Sequence, residues 1–423
     1  MAWREHDPGW WLEDALRFAI CDYSGHPFQA QLSRELARRG HAMLHLHFAE
    51  FQTPKGRLSV GPEDPQTLAI ESVSLDRPFA KYSLFRRRFQ EIEIGRRIAK
   101  RILSFQPDVV VGCNLPLDTL QRLVSSCQKQ GLPFVFWQQD IYSDAIARIL
   151  TRKFGLVGRL LGIHYKRIER RVLNASSAIV VIADEFISAL AKDFGIAVEV
   201  AHVIENWAPL DELPPRSKSN AWTVSHGFDS SDVVLYTGTL GLKHDVTKLL
   251  AVAQAMLSRP NALLIVTSEG FSADWLAAEV QRIGLPNVRV LPFQSFEDYP
   301  DVLGCADILI AILEKDAGEF SVPSKVLSYL CAERAIILSA PENNLASRIV
   351  TRCGAGIVVA PDDITGFTRA ILRMLDDRAA QRSAAENGRR YAEKSFEIIS
   401  IGNRFEAILV DATRAGKSEN QGR

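Results

Sequence analysis

Lys325 is the residue whose position most clearly suggests chemistry. The segment GEFSVPSKVLSYLCAERAII, residues 318–337, begins polar, and Pro323 predicts the first turn of a helix with Ser321 as its N-cap. A lysine in that turn faces the positive end of the helix dipole, at a cost of roughly 0.3–1 kcal/mol. A bound anion would remove this cost, so the position predicts an anion site at the helix N-terminus. The alternative is a lysine that extends into solvent.

A second segment suited to anions is LYTGTLGLKHD, residues 235–245, which leads out of a predicted strand. Gly238 and Gly241 permit tight turns and a close approach of backbone N–H groups to a phosphate, and Lys243 adds charge. The alternative is a plain glycine turn, since the pattern is neither G-x-G-x-x-G nor a P-loop. If Lys325 faces the same loop, a bound diphosphate explains both features.

Polar residues also follow predicted strands in the first half of the chain. Gly25 and His26 lie between a strand and a helix, and Asn114 follows another strand. Asp140, after a third strand, could position or deprotonate a hydroxyl. The alternatives are a surface histidine and a helix-capping aspartate, and the sequence does not choose between them.

Two further features have competing readings. Glu319, just before the Pro323 helix, could accept hydrogen bonds from sugar hydroxyls, or it is one more exposed acid in an acidic loop. His45 and His47 lie on one face of a strand, but no third metal ligand is evident, so packing is the better interpretation.

The bulk composition is that of an ordinary globular protein. The chain has 423 residues, 47% hydrophobic and 24% charged, and its 50 basic residues balance 50 acidic ones, which gives no indication of nucleic-acid binding. Six cysteines without a C-x-x-C pair argue against a zinc site or a disulfide framework and favour a reducing, cytoplasmic compartment. The N-terminus lacks the apolar core of a signal peptide, and no window has the length of a membrane span.

Short apolar runs alternate with amphipathic segments, which predicts two doubly wound α/β domains with parallel sheets. Strands are predicted at 16–21, 42–48, 107–113, 132–140, 176–183 and 197–207, and then at 232–238, 261–270, 287–293, 306–313, 334–340 and 354–361. Helices are predicted at 27–40, 116–130 and 382–410. The expected domains are 1–207 and 208–395, followed by a helix at 396–412 and a disordered tail at 413–423. Ligands are expected in a cleft between the carboxyl ends of the two sheets.

Two segments, 85–103 and 151–173, interleave arginine and lysine with apolar residues. A basic amphipathic helix suits an anionic membrane surface. The alternative is a solvated helix face. Phe154, Leu156, Val157, Leu160 and Leu161 favour membrane contact for the second segment.

The motifs together resemble the retaining family 4 glycosyltransferases of the GT-B fold, in particular bacterial exopolysaccharide, colanic acid and O-antigen glycosyltransferases. The resemblance covers nearly the whole chain and rests on the segments DYSGHPFQAQLSRELARRGH, WQQDIYSDA, VIENWAP, YTGTLGLKHD, VLPFQSFEDYPDVLGCADILIAIL and VPSKVLSYLCAERAIILSAPENNLASRIV. It implies two Rossmann-like domains, with the nucleotide-sugar bound by the second and the acceptor by the first, and a final helix that crosses back.

The resemblance also implies residue roles. Asp140, Glu319 and Lys325 would be catalytic, and the acceptor would meet Gly25, His26, Asn114 and Asp140. The donor would be held by Gly238, Thr239, Gly241, Lys243, Phe293, Gln294, Val322, Ser324 and Lys325. The chain departs from the family pattern at four positions: many members have glutamate at Ser328, arginine at Thr239, glycine at Glu333 and histidine at Gln139.

The implied reaction is retaining transfer of a sugar from a nucleotide-diphosphate-sugar to a glycan or polyprenyl-diphosphate-linked acceptor, in cell-surface polysaccharide biosynthesis. Neither a metal nor another cofactor is expected, and the enzyme is expected in the cytoplasm, at the inner face of the plasma membrane. The alternatives are a nucleotide-sugar 2-epimerase of the same architecture and a nucleotide-sugar-binding subunit that has lost catalysis.

Overall fold

The computed structural model describes residues 15–50, 56–80, 83–241, 245–313, 315 and 323–421. The described chain forms two units. One comprises the residues up to Glu205 together with those from Ile398 onward, and the other comprises Asn206–Glu397. Among the described residues, no helix combines the length and the apolar character needed to cross a bilayer.

The first unit is a parallel sheet with strand order β3-β2-β1-β4-β5-β6-β7. Its strands are β1 Arg17–Asp22, β2 Ala42–Phe48, β3 Leu68–Val73, β4 Val109–Cys113, β5 Phe134–Trp137, β6 Ala178–Val181 and β7 Ala201–Val203. Its helices are α1 Pro27–Arg38, α2 Leu84–Phe105, α3 Leu117–Lys129, α4 Tyr142–Asn174 and α5 Asp184–Phe194, with a 3₁₀ turn at Val198–Val200. The central strands read as continuous apolar runs because helices cover both faces of the sheet.

The second unit repeats the plan with strand order β10-β9-β8-β11-β12-β13, again parallel. The strands are β8 Asp232–Thr237, β9 Ala262–Thr267, β10 Val288–Leu291, β11 Ile308–Ile312, β12 Ala335–Ser339 and β13 Gly356–Val359. The helices are α6 Ala221–Ser225, α7 Thr247–Met256, α8 Phe271–Ile283, α9 Tyr299–Gly304, α10 Ser324–Cys331, α11 Leu345–Cys353, α12 Ile364–Asp376 and α13 Arg378–Ser395. Buried strand residues such as Val234, Ile310 and Ile337 share one core with Phe367 and Ile371 of α12. Two doubly wound Rossmann-like units are therefore present, as the sequence predicts.

Helix α14, Ile398–Gln421, returns the chain to the first unit. Glu406 accepts hydrogen bonds from Arg39 at 2.6 Å and lies 2.8 Å from Nε2 of His41. The ring of Phe405 lies 4.6 Å from that of Trp137, centroid to centroid. These contacts fix α14 against α1 and β5.

Two predictions about elements are wrong, and one strand was not predicted. The predicted helix 382–410 is two helices. The first, α13, ends at Ser395 in the second unit, and the next helix begins at Ile398 in the first unit. The predicted disordered tail continues as helix to Gln421, because Thr413 is still buried and a Cβ on Gly416 would lie 2.4 Å from Pro133. Strand β3 was not predicted, since its sequence, LAIESV, mixes polar and apolar residues at a sheet edge.

Helix α4 is a helical hairpin. Gly155 has φ 55° and ψ −126°, which breaks the helix into two arms, 142–154 and 156–174. A Cβ on Gly158 would lie 1.9 Å from the carbonyl oxygen of Leu150, and a Cβ on Gly162 would lie 2.7 Å from Cβ of Ala147. The two arms therefore run antiparallel in backbone contact, which only glycine at these two positions permits.

Candidate functional site

The loop after β8 lies at the carboxyl edge of the second unit's sheet. Gly238 has φ 101°, a conformation that residues with a side chain rarely adopt, and its N–H donates to the carbonyl of Thr267 at 3.0 Å. The N–H of Leu240 donates to Oγ of Ser268 at 3.1 Å. The loop is thus held against the end of β9, and Gly238 has no side chain of its own to separate the loop backbone from a neighbouring group.

Lys325, the second residue of α10, reaches this loop. Its Cε and Nζ lie 3.3 and 3.5 Å from the position that a Cβ on Gly238 would occupy. Nζ is buried and, within the described residues, has no hydrogen-bond partner. It lies 3.7 Å from the centroid of the Tyr236 ring, whose face attracts a cation. The structure therefore brings together the glycine turn and the lysine that the sequence singled out.

Burial lowers the pKa of Lys325 to about 7, because the charged form loses its hydration and no carboxylate among the described residues compensates for the loss. An unpaired ammonium in this place is unfavourable by itself. It becomes favourable when an anion reaches it, because two opposite charges attract strongly where water is excluded.

A set of hydroxyl groups fixes α10 relative to β8. The Tyr329 hydroxyl, one turn beyond Lys325, accepts from the N–H of Thr237 at 3.0 Å and donates to the carbonyl of Ile310 at 3.3 Å. Oγ1 of Thr237 lies 3.0 Å from the hydroxyl of Tyr299. These bonds position the start of α10 over the end of β8, and with it the ammonium of Lys325.

Phe293 and Gln294 follow β10 at the same edge of the sheet. The N–H of Phe293 donates to Oε1 of Glu269 at 3.1 Å. The side-chain oxygen of Gln294 accepts from Nε1 of Trp222 at 3.0 Å, and its amide donates to the carbonyl of Pro292. Gln294 is therefore held in place by its own unit, and contact with a nucleotide base stays a prediction.

The remaining donor-site predictions divide into two groups. Glu319, Val322 and Lys243 lie outside the described residues, as does Ser321. The prediction of Ser321 as the N-cap is wrong, because α10 begins at Ser324 and its N-cap residue is Pro323. Among the described ones, the carbonyl of Thr239 accepts from the Tyr236 hydroxyl at 3.1 Å, Gly241 follows in the same loop, and Ser324 begins α10 with an exposed side chain. Their roles in binding stay predictions.

The structure shows what two of the residues that depart from the family pattern do. Glu333 has φ 54°, the left-handed conformation in which a glycine is favoured, so the usual glycine at this turn meets a backbone requirement. Ser328 uses its hydroxyl to donate to the carbonyl of Ser324 at 3.4 Å rather than presenting a carboxylate.

In the first unit, a buried carboxylate organises the loop that carries Gly25 and His26. Asp22, the last residue of β1, accepts from the N–H of Ser24 at 3.0 Å and from the N–H of His26 at 2.5 Å. The Gln29 amide, in the orientation that satisfies both of its ends, donates to Asp22 at 2.7 and 2.8 Å. Burial raises the pKa of Asp22, although these backbone bonds oppose it. Gly25 has φ 74°, and His26 is the N-cap residue of α1.

Asn114 and Asp140 lie on neighbouring strand ends of the same sheet. Asn114, with φ 52°, accepts from the Tyr142 hydroxyl at 3.3 Å. Asp140 caps the following residue, since its Oδ1 accepts from the N–H of Ile141 at 2.8 Å. The order β1-β4-β5 places both near the Gly25 loop. The predicted acceptor residues therefore share one edge of the first unit.

Glu169, on the returning arm of α4, is a residue that sequence reasoning missed. It is fully buried and accepts from the side chain of Gln138 at 3.2 Å and from the N–H groups of Tyr142 and Ser143 at 3.1 and 3.0 Å. Burial raises its pKa to about 7. Glu169 thus holds the segment on either side of Asp140 from within the fold.

His45 packs in the core of the first unit, and the cysteines form no disulfide bonds. His45 is buried, 2.8 Å from Oγ of Ser33, and burial lowers its pKa to about 3. All six cysteines lie in the described part of the chain, and each is free. Across the described ranges, no three His, Cys, Asp or Glu side chains are arranged to hold a metal ion.

Two family models match the chain, one for each unit. Residues 29–212 match the model described as Glycosyltransferase Family 4, and residues 231–377 match the model described as Glycosyl transferases group 1. The chain belongs to the family 4 glycosyltransferases of the GT-B fold.

Relatives and solved structures accord with this assignment. The putative colanic acid biosynthesis glycosyl transferase WcaI of Escherichia coli (strain K12) is 22% identical over 313 residues, 71% of this chain and 73% of WcaI. HepE of Anabaena, crystallised with UDP and glucose, is 15% identical with a TM-score of 0.68, over 94% of this chain and all of HepE. WaaG, a glycosyltransferase involved in lipopolysaccharide biosynthesis, is 17% identical with a TM-score of 0.66, over 93% of this chain and 99% of WaaG.

Several residues at the two sheet edges of the glycosyltransferase were not identified from the sequence. Asp22, two residues before a Ser-Gly pair, had a local signal, since an aspartate that accepts backbone N–H bonds just ahead of a glycine is a common turn. Tyr236 and Glu169 had none, because one reads as a buried strand residue and the other as an ordinary helix acid. Their partners are distant in sequence.

Replacing Lys325 with Met should stabilise the unliganded glycosyltransferase, most strongly at and below about pH 7. The folded pKa of Lys325 is lowered to about 7 from 10.5, so wild-type stability is reduced where the amine is charged in both states and rises with pH between these values. We expect the melting temperature of K325M to exceed that of the wild type by about 2–4 °C at pH 6.5. The difference should shrink at pH 9, and a variant that is less stable at pH 6.5 would contradict the unpaired state of the ammonium.

Gly238→Ala should displace the Lys325 side chain and strain the loop. The new Cβ would lie 3.3 Å from Cε, at a φ of 101°. We expect a loss of about 1–3 kcal/mol in stability and weaker binding of inorganic pyrophosphate, measured by chemical denaturation and calorimetry. The matched control is Gly227→Ala in the same unit, with φ 68° and open space around its Cβ, which should lose about 1 kcal/mol and keep pyrophosphate affinity. Equal affinities in the two variants would argue against an anion site at Gly238.

Proposed function

We propose that this glycosyltransferase moves a sugar from a nucleotide-diphosphate-sugar to a lipid-linked glycan, with retention at the anomeric carbon, in cell-surface polysaccharide biosynthesis. The names of the relatives support the nucleotide-sugar donor and the role in polysaccharide biosynthesis. HepE was crystallised with UDP and with UDP-glucose, and WcaI is described by colanic acid biosynthesis. The donor's base and sugar are left open.

The ammonium of Lys325 is the observation that carries the proposal. In the reaction the bond between the anomeric carbon and the diphosphate oxygen breaks, and negative charge develops on the departing nucleotide diphosphate. A cation already in place and already dehydrated stabilises that charge without reorganisation. The N-terminal turn of α10 can add N–H donors to the same anion, whereas the N–H groups of Gly238 and Leu240 already donate within the second unit.

The first unit supplies the acceptor contacts in this proposal. Asp140, after β5, would accept a hydrogen bond from the acceptor hydroxyl, with Asn114 after the neighbouring strand β4 and His26 after β1. Asp22 holds the loop that carries His26, and Glu169 holds the segment that carries Asp140. Glu319 would contact the transferred sugar. We expect Lys325 and backbone N–H groups to neutralise the leaving diphosphate, and we propose that no metal ion is required.

The enzyme is proposed to work in the cytoplasm, at the inner face of the plasma membrane. A polyprenyl-diphosphate-linked acceptor is confined to a bilayer, so an enzyme that acts on it gains from residence at that surface. The exposed basic and apolar residues of α4 support this location.

Lys325→Ala should lower turnover strongly while the protein stays folded. Loss of one preorganised charge at a developing anion costs about 10²–10³ in kcat. The matched control is Lys315→Ala, since Lys315 belongs to the same unit but is 69% exposed and paired with Asp362. We expect K315A to keep wild-type turnover and K325R to recover part of it. Turnover in K325A within twofold of the wild type would refute the role of Lys325.

The fate of a radiolabelled donor separates transfer from the alternatives. We expect label from the sugar to move to the lipid-linked acceptor and free nucleotide diphosphate to accumulate. Label that stays on the nucleotide while the sugar changes configuration would indicate a 2-epimerase, which the descriptions of the family models and relatives do not favour. Donor binding without transfer or hydrolysis would indicate a subunit that has lost catalysis.

A further inference from the structure

The end of the α4 hairpin exposes a cluster of large apolar side chains, which we name the hairpin tip. It consists of Ile149, Phe154, Leu156, Val157, Leu160 and Ile163, and Leu156 and Leu160 are 79% and 67% exposed. Single exposed apolar residues are normal on a soluble protein, but six within residues 149–163, on both sides of the reversal at Gly155, indicate a surface that contacts something apolar.

The charged residues of the hairpin segment that carries the tip are all basic. Residues 145–168 contain six lysines and arginines and neither aspartate nor glutamate. Within the described part of the chain, Arg148, Arg152 and Arg159 make no ion pair, and Lys153 lies over the ring of Phe154. Only Lys166, far down the second arm, approaches a carboxylate, that of Asp144 at 3.9 Å.

Helix α2, the other basic segment, has a different character. Its Arg87, Arg97 and Arg101 pair with the carboxylates of Glu91, Asp76 and Glu71. Those arginines mainly hold the first unit together, whereas the cations of the hairpin tip remain available to an external anion. The structure thus distinguishes two segments that look alike in sequence.

The start of α2 nevertheless adds to the apolar surface. Phe85 and Phe89, four residues apart and so on one side of the helix, are 81% and 71% exposed. Asp118 of α3 joins this end of α2 to the hairpin, because it lies 3.4 Å from Nε of Arg88 and accepts from the Tyr165 hydroxyl at 2.7 Å. The two phenylalanines and the hairpin therefore belong to neighbouring parts of one side of the first unit.

Close backbone packing between its two arms makes the hairpin rigid. The backbone contact at Gly158 locks its two arms together, and Gly155 supplies the reversal. The first arm begins at Tyr142, beside the proposed acceptor residues, and reaches Phe154 twelve residues later. At 1.5 Å per residue, the tip lies about 18 Å along the arm from that site.

We propose that the hairpin tip docks the enzyme on an anionic lipid bilayer, with its apolar side chains in the interface and its arginines on the head groups. We favour a lipid surface over a protein partner because of the charge on the hairpin. Its cations make no ion pair among the described residues, apart from Lys166. They match an anionic interface, whereas an apolar protein pocket would leave them without partners. The inference deepens the proposed function and rests on it, because the lipid-linked acceptor is the reason that the enzyme needs a bilayer. It implies that the reacting hydroxyl of the acceptor lies about 18 Å, the length of the first arm, from the membrane surface.

Vesicle binding tests the proposal directly, with the full chain and no donor. We expect the wild type to sediment with vesicles of phosphatidylglycerol and phosphatidylcholine but not with pure phosphatidylcholine, and binding should weaken as salt is raised. Leu156→Asp/Leu160→Asp and Arg152→Glu/Lys153→Glu should each reduce partitioning by about tenfold or more.

Two control variants match these changes. Phe271→Asp alters an exposed apolar residue of α8, 77% exposed, and Arg369→Glu/Arg373→Glu reverses two exposed charges on α12. Both should bind vesicles as the wild type does. Melting temperatures of all variants establish that each is folded.

The outcomes separate this proposal from the proposed function. K325A should bind vesicles like the wild type, and L156D/L160D should keep donor binding while losing transfer to a bilayer-embedded acceptor. Equal vesicle binding by the hairpin variants and the wild type would overturn the proposal. A wild-type dimer in sedimentation velocity that L156D/L160D dissociates, without vesicle binding, would assign the hairpin tip to a second copy of the chain and also overturn it.

Discussion

The candidate site depends on one unfavourable arrangement, the ammonium of Lys325 buried without a hydrogen-bond partner among the described residues. In the described part of the chain, the one close group that compensates for this is the face of Tyr236 at 3.7 Å, which returns about 0.5–2 kcal/mol. The surrounding structure maintains the arrangement through ordinary bonds: Tyr329 fixes α10 to β8, and Gly238 leaves space that any side chain would occupy. A fold that stores a dehydrated charge in this way is prepared for an anion before the anion arrives.

The first unit uses the same principle with the opposite sign of charge. Asp22 and Glu169 are buried carboxylates whose desolvation raises their pKa, and each accepts several N–H groups from a loop. Neither is offered to a ligand. They determine where Gly25, His26 and Asp140 lie, so the proposed acceptor residues are positioned by charges held inside the protein.

Helix α4 connects the chemistry to the surface of the molecule. Its first turn is held by Glu169 from the returning arm, so the segment that carries Asp140 is fixed by the hairpin itself. The same hairpin ends in unpaired cations and exposed apolar residues. A single element thus spans from the proposed acceptor site to a surface suited to lipid, and the glycines at positions 155, 158 and 162 make that span possible.

The sequence by itself determined the two doubly wound units, because short continuous apolar runs that alternate with amphipathic segments are typical of buried parallel strands covered by helices. It also singled out Lys325 and the Gly238 turn, since a cation at a helix start and a glycine after a strand are locally unusual. It did not predict β3 or the helical tail, because edge polarity and docking against Pro133 depend on distant residues. Only the tertiary structure decided that Tyr236 lies beneath the ammonium, that Glu169 holds the Asp140 segment, and which basic helix has free charges. Those are pairings across long sequence separations, and local patterns carry no information about them.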